Sequence, residues 1–181
     1  ILAERMGVWC YDRDILTIAA ERIGNEELTE DTINDLNYKR NDVASAGITG
    51  VMGMGNIPIY NQMFLEQAKI IRKLANYGSA VFLGRCADYI LKDIKNCTSV
   101  YLYADREFRK NRVKEIYGSN AEIMDKEEKN RADYYNYYTG NRWGDINNYD
   151  FAINTSKVSF EEAADLIYRF AKDKQKNLKD R

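Results

Sequence analysis

Apolar residues along this chain switch repeatedly between two spacings. Short continuous runs alternate with longer stretches in which they recur every three or four positions. The runs read as strands buried on both faces, and the longer spacing reads as amphipathic helix. Residues 2–6 are helical and stop at Gly7, a residue suited to the left-handed end of a helix. Residues 8–11 predict a short strand that ends at Asp12-Arg13-Asp14. Asp12 can cap the helix after it, whose Ile15, Leu16, Ile18, Ala19 and Ile23 share a face until Gly24. Residues 29 to about 39 predict a further helix, and 41–57 a loop carrying Gly47, Gly50, Gly53 and Gly55. A long helix over about 59–77 lines up Phe64, Ala68, Ile71, Leu74 and Ala75, and Gly78 ends it.

The second half repeats the alternation. Ala80-Val81-Phe82-Leu83 is a strand running into Gly84, with a helix predicted over 87–91. A third strand covers 99–104, and Asp105 caps a helix to about residue 117. A polar helix comes next over about 121–138, then a loop over 139–149. A fourth strand, 151–153, closes on Asn154-Thr155-Ser156. Ser159 and Glu162 form a capping box at the start of the last helix, which frays into a lysine-rich tail. Strands alternating with helices predict an α/β fold, a parallel sheet wrapped by helices on both faces. No repeat and no linker divides the chain, so residues 1–181 read as one domain.

Composition narrows the chemistry. The 181 residues carry a net charge of -1, which gives no global pull toward a nucleic acid polymer. No apolar run is long enough to span a membrane, and no signal-peptide pattern is present. Cys10, Cys86 and Cys97 lack Cys-x-x-Cys spacing, which fits reduced thiols in a cytoplasm. Histidine is absent. That removes Ser-His-Asp and Cys-His catalysis and most zinc sites. Phosphoryl transfer survives this filter, because it runs on positioning and electrostatics.

The segment from Gly84 to Asp88 lies at the carboxyl end of a buried strand, where ligands of open α/β sheets gather. The Arg85 guanidinium is a fixed fork suited to phosphate oxygens. It either serves such a ligand or pairs with Asp88 for structure alone.

Read in order, the chain resembles the cytidylate-kinase-like family of P-loop nucleoside monophosphate kinases. The resemblance rests on the Gly84–Leu91 segment, on Tyr134-Tyr135 through Tyr137-Tyr138-Thr139-Gly140, on Trp143-Gly144-Asp145, and on Asn148-Tyr149-Asp150 with Asn154-Thr155-Ser156. It implies an ATP-dependent phosphotransferase, with Mg2+, acting on a nucleoside monophosphate such as CMP. It also implies an acceptor-binding flap over about 29–60 and a lid over about 125–147.

By position, Arg85 matches the arginine that grips the acceptor, with Asp88 and Asp14 beside it as acceptor ligands. The aspartate that usually comes after that arginine in the family is Cys86 here, which opens the question of cytosine specificity. Cys86 itself reads as a small packed residue. Asp12 matches acidic residues that serve magnesium or the acceptor in related kinases; otherwise it caps a helix, and Asp14 complements the helix dipole. Arg131 matches a lid cation acting on the moving phosphoryl group, with Lys129 and Arg142 behind it; otherwise these are a solvated face. Arg109 faces either the donor phosphates or water. Asn154 and Thr155 end the last strand near where such kinases hold adenine, and a turn explains them equally well. The tyrosines read mainly as packing.

The family's glycine-rich phosphate loop precedes the Leu-Ala-Glu helix, and no Gly-x-x-x-x-Gly-Lys-[Ser/Thr] occurs in these residues. The expectation is that a strand and a phosphate loop lie just before Ile1. Rival readings are a kinase of another small metabolite, a nucleotide-binding regulator without turnover, and an RNA-binding module over residues 126–143, which the net charge disfavours. The oligomeric state is not readable.

Overall fold

The computed structural model describes residues 1–12, 14–23, 59–118 and 121–179. The predicted helix at 29–39, the glycine-rich loop at 41–57 and most of the flap lie outside these residues. In chain order the elements are α1 (Leu2–Met6), β1 (Trp9–Tyr11), α2 (Asp14–Ile23), α3 (Ile59–Tyr77), β2 (Ala80–Phe82) and α4 (Ala87–Ile90). After them come β3 (Val100–Tyr103), α5 (Arg106–Tyr117), α6 (Ala121–Thr139), a 3-10 turn (Ile146–Asn148), β4 (Phe151–Asn154) and α7 (Phe160–Lys179).

The alternation produces parallel pairing, as expected, but in two small sheets among the described residues. β1 pairs with β2 with Tyr11 opposite Phe82, and β3 pairs with β4 with Tyr103 opposite Asn154. This register brings the chain segments beyond each pair of strand ends together. Asp12 leaves β1 at the same edge where Leu83 and Gly84 leave β2, and the Leu83 N–H still donates to the Tyr11 carbonyl at 2.9 Å. Likewise Asp105 and Ser156 meet beyond β3 and β4, where the Asp105 N–H donates to Ser156 Oγ at 2.6 Å. Parallel strands are normally covered on both faces. Here Trp9 is 77% exposed and Leu102 51%, so the expected double wrapping is incomplete among the described residues.

The core lies between α2, α3 and the turn after β2. Ile15 and Ala19 of α2 meet Met63, Ile70 and Ile71 of α3, and Cys86, Ala87, Ile90 and Tyr135 close the cluster. Phe64, Ala68, Leu74 and Ala75 pack against it, as their helical spacing predicts. Ile18 does not join them: it is 36% exposed, while Ile15 and Ala19 are buried.

The helix ends separate local from distant determinants. Gly7 ends α1 at φ 64, as its position in the sequence predicts. The capping box also forms: the Ser159 N–H donates to Glu162 Oε2 at 2.8 Å, and the Glu162 N–H donates to Ser159 Oγ at 3.1 Å. The Asp12 cap expected at the start of α2 involves residue 13, which lies outside the described residues. One expected cap does not form. Asp105 holds the N-cap position of α5, yet its carboxylate makes no cap bond. It accepts from Asn154 Nδ2 at 3.1 Å and pairs with Lys157 at 2.9 Å instead. Partners across the sheet have outcompeted the local backbone. α7 is tied back by Arg5 to Asp165 and by Lys174 to Asp150.

Candidate active site at the carboxyl end of β2

After β2 the chain makes an unusual turn. Gly84, Arg85 and Cys86 all adopt left-handed backbone, with φ of 66, 58 and 55. Glycine does this freely, but side-chain-bearing residues do so at a cost of about 1–3 kcal/mol each. The turn closes by its own hydrogen bonds: the Ala87 N–H donates to the Gly84 carbonyl, and the Ile90 N–H to the Cys86 carbonyl. Such strain persists where surrounding contacts fix it, and it concentrates at functional sites.

Those contacts come from α3 and α6. Cys86 is 3% exposed. Burial, with Asp88 nearby, pushes its thiol up from 9.0 to about 12. It is a packed residue with almost no thiolate at neutral pH, as its sequence context suggested. Asp88 sits in the first turn of α4 and accepts from the Tyr135 hydroxyl at 2.6 Å. Burial raises the Asp88 carboxyl above the usual range, and the Tyr135 hydroxyl and backbone amides pull against that rise.

A layer of tyrosines backs this turn. Phe64 of α3 stacks on Tyr138 of α6 at 4.2 Å, and Tyr134 packs against both. Burial raises the Tyr134 and Tyr135 hydroxyls, and it pushes Tyr149 up to about 12. Tyr149 in turn stacks on Tyr101 of β3 at 5.0 Å. The Tyr134 hydroxyl and Gln67 Oε1 are both buried without a hydrogen bond of normal geometry, although Gln67 stands close enough to offset part of the rise at Tyr134. Arg85 and Cys86 act on the same hydroxyl. Gln67, Tyr135 and Tyr149 thus join a site whose other members were read from sequence. Gln67 gave no signal there, being one polar residue in an amphipathic helix.

The remaining sequence-derived candidates divide by location. Arg85 is half-buried at the turn, while Asp12 and Asp14 are exposed at the neighbouring end of β1 and start of α2. Arg131 and Lys129 are exposed on α6, Arg131 lying one turn before Tyr135. Arg142 is exposed after α6, where its carbonyl accepts from Asn148 Nδ2 at 2.9 Å. Arg109 pairs with Glu128, and Arg106 with Asp125, so two ion pairs join α5 to α6. Arg109 Nε is buried without a partner. Asn154 and Thr155 brace their own turn. Asn154 Oδ1 accepts from the Ser156 N–H at 3.0 Å, and Thr155 Oγ1 donates to the Tyr103 carbonyl at 3.1 Å. Among the described residues no three His, Cys, Asp or Glu side chains converge as a metal site. No described helix is long and apolar enough to cross a membrane.

No curated protein matches the sequence. A crystal structure of an uncharacterized protein from Eubacterium ventriosum ATCC 27560 is similar, with 26% identity, a TM-score of 0.66, and coverage of 94% of this chain and 86% of that one. Residues 1–157 match the cytidylate kinase-like family. The match covers most of the 181 residues and includes the turn after β2 and all of α6, so the chain belongs to the cytidylate kinase-like family.

Proposed function

We propose that this protein is a P-loop-type nucleotide kinase that moves the terminal phosphoryl of ATP to a small acceptor, a nucleoside monophosphate such as CMP. Family membership supports a nucleotide-kinase-like function. The observation that carries the site is the left-handed backbone at Arg85, at a strand end and three residues before the half-buried Asp88. In this reading Arg85 grips the acceptor phosphate through two parallel N–H bonds, and Asp88 and Asp14 bind its polar groups. Arg131 neutralises charge on the phosphoryl group in flight, with Lys129, Arg142 and Arg109 on the donor side. Asn154 and Thr155 shape the turn beside the donor base. Asp12, exposed at the end of β1, orients the attacking oxygen.

Magnesium, when bound, would supply charge neutralisation between the donor phosphates. It keeps several waters and usually takes only one or two carboxylates. Asp12 would hold one of those waters.

Cys86, where the family usually carries aspartate, favours a second reading, a kinase of another small phosphorylated or hydroxyl compound. A thermal-shift panel of nucleotides and small metabolites on the full-length protein decides between them. A ligand well above its dissociation constant should add about 2–4 kcal/mol of stability. Stabilisation by nucleoside monophosphates and ATP supports the first reading. Stabilisation by ATP and a different metabolite supports the second, and ATP binding without turnover supports a regulator.

A further inference from the structure

The strained turn at Arg85 is held by contacts outside itself, and one of them is a long-range side-chain hydrogen bond. Asp88 lies three residues after Arg85 on the same short turn of chain. Its carboxylate accepts from Tyr135, a residue 47 positions away on α6. Tyr135 is 5% exposed, and α6 is itself pinned to α3 by the Phe64–Tyr138 stack. The phenol is therefore a fixed donor. It holds one Asp88 oxygen and directs the rest of the carboxylate. Tyr149 acts on the same hydroxyl.

We infer that Tyr135 is a positioning residue for acceptor recognition: by donating to Asp88 it fixes the carboxylate, and with it the turn that carries Arg85, in the geometry that receives the acceptor. This rests on the reading of Arg85 and Asp88 as acceptor ligands. Tyr135 touches no reacting atom and acts through Asp88.

Tyr135→Phe removes the hydroxyl and keeps the ring that fills the core. The test measures binding of CMP and of ATP to the full-length protein by calorimetry, beside a melting curve. CMP affinity should fall about five- to tenfold, within the range expected for losing an ordinary hydrogen bond, with ATP affinity unchanged. Introduced on top of Asp88→Ala, the same substitution should cost nothing more, because the two residues act as one unit. Unchanged CMP affinity in Tyr135→Phe, equal losses for CMP and ATP, or fully additive losses in the double variant each overturn the inference. Should Tyr135→Phe not fold, Asp88→Asn keeps an oxygen for Tyr135 and removes the charge. It should lose CMP affinity with a native melting curve, and unchanged affinity would overturn the inference. A wild-type protein that binds no nucleoside monophosphate overturns the proposed function and this inference together. A wild type that binds CMP while Tyr135→Phe binds it equally well overturns only the inference.

Discussion

At the scale of single residues the turn after β2 decides most. Arg85 combines left-handed backbone with a position at a strand end. A lysine can keep its charge but not its planar fork. Arg85→Lys should therefore raise the Michaelis constant for the acceptor about ten- to a hundredfold, corresponding to about 1.5–3 kcal/mol, and leave that for ATP nearly unchanged. Acceptor and ATP titrations of the variant, beside a melting curve, check this. Equal damage to both substrates with a lowered melting temperature would return Arg85 to a purely structural role. Sequence alone marked Gly84, Arg85 and Asp88, because a strand running into Gly-Arg is a local signal. It did not reveal that Cys86 and Arg85 share the left-handed conformation of Gly84, since neither side chain announces it. Nor did it reveal Tyr135 as the partner of Asp88. That bond depends on how α6 crosses the turn, and no spacing rule reaches across 47 residues.

At the scale of elements, helix ends were readable wherever the determinant was local. The Ser159–Glu162 box formed because both residues lie within one turn. Asp105 departs from its expected capping role because Asn154 and Lys157, brought in by the β3–β4 pairing, compete for its carboxylate. α6 divides in the same terms. Its second half is anchored by Tyr134, Tyr135 and Tyr138 in the core, while Asp125 and Glu128 tie its first half to α5 through arginines. Arg131 lies between the two halves, exposed. Arg131→Ala should lower kcat by at least about tenfold, with a much smaller change in ATP affinity, because its charge acts on the transferring group. Steady-state kinetics and ATP binding measured on the same preparation check this. An unchanged kcat would make Arg131 part of a solvated helix face.

At the scale of the whole molecule, the order of strands and helices predicted parallel pairing, and both observed pairs are parallel. The number of sheets was not readable, because which strands become neighbours is settled by tertiary packing rather than by any one segment. The buried hydroxyl and thiol layer around the turn gives the fold a pH signature. Cys86 is raised from 9.0 to about 12 and Tyr149 from 10.0 to about 12, with Tyr134 and Tyr135 also raised. The unfolded chain releases these protons first, so it binds fewer than the folded chain above pH 9. Their stabilising effect is complete below pH 9 and is lost as pH rises from 9 toward 12. Urea unfolding at a series of pH values should show stability falling steadily above pH 9, and Cys86→Ala should delay the onset. A flat profile to pH 11 would contradict the buried layer. The central claim is phosphoryl transfer at this site, and one measurement meets it directly. The full-length protein is incubated with Mg2+, terminally labelled ATP and each nucleoside monophosphate, and label is traced into the nucleoside diphosphate. The account predicts labelled diphosphate from at least one monophosphate, abolished or greatly slowed in Arg85→Ala; ATP left intact in the presence of every monophosphate would contradict it.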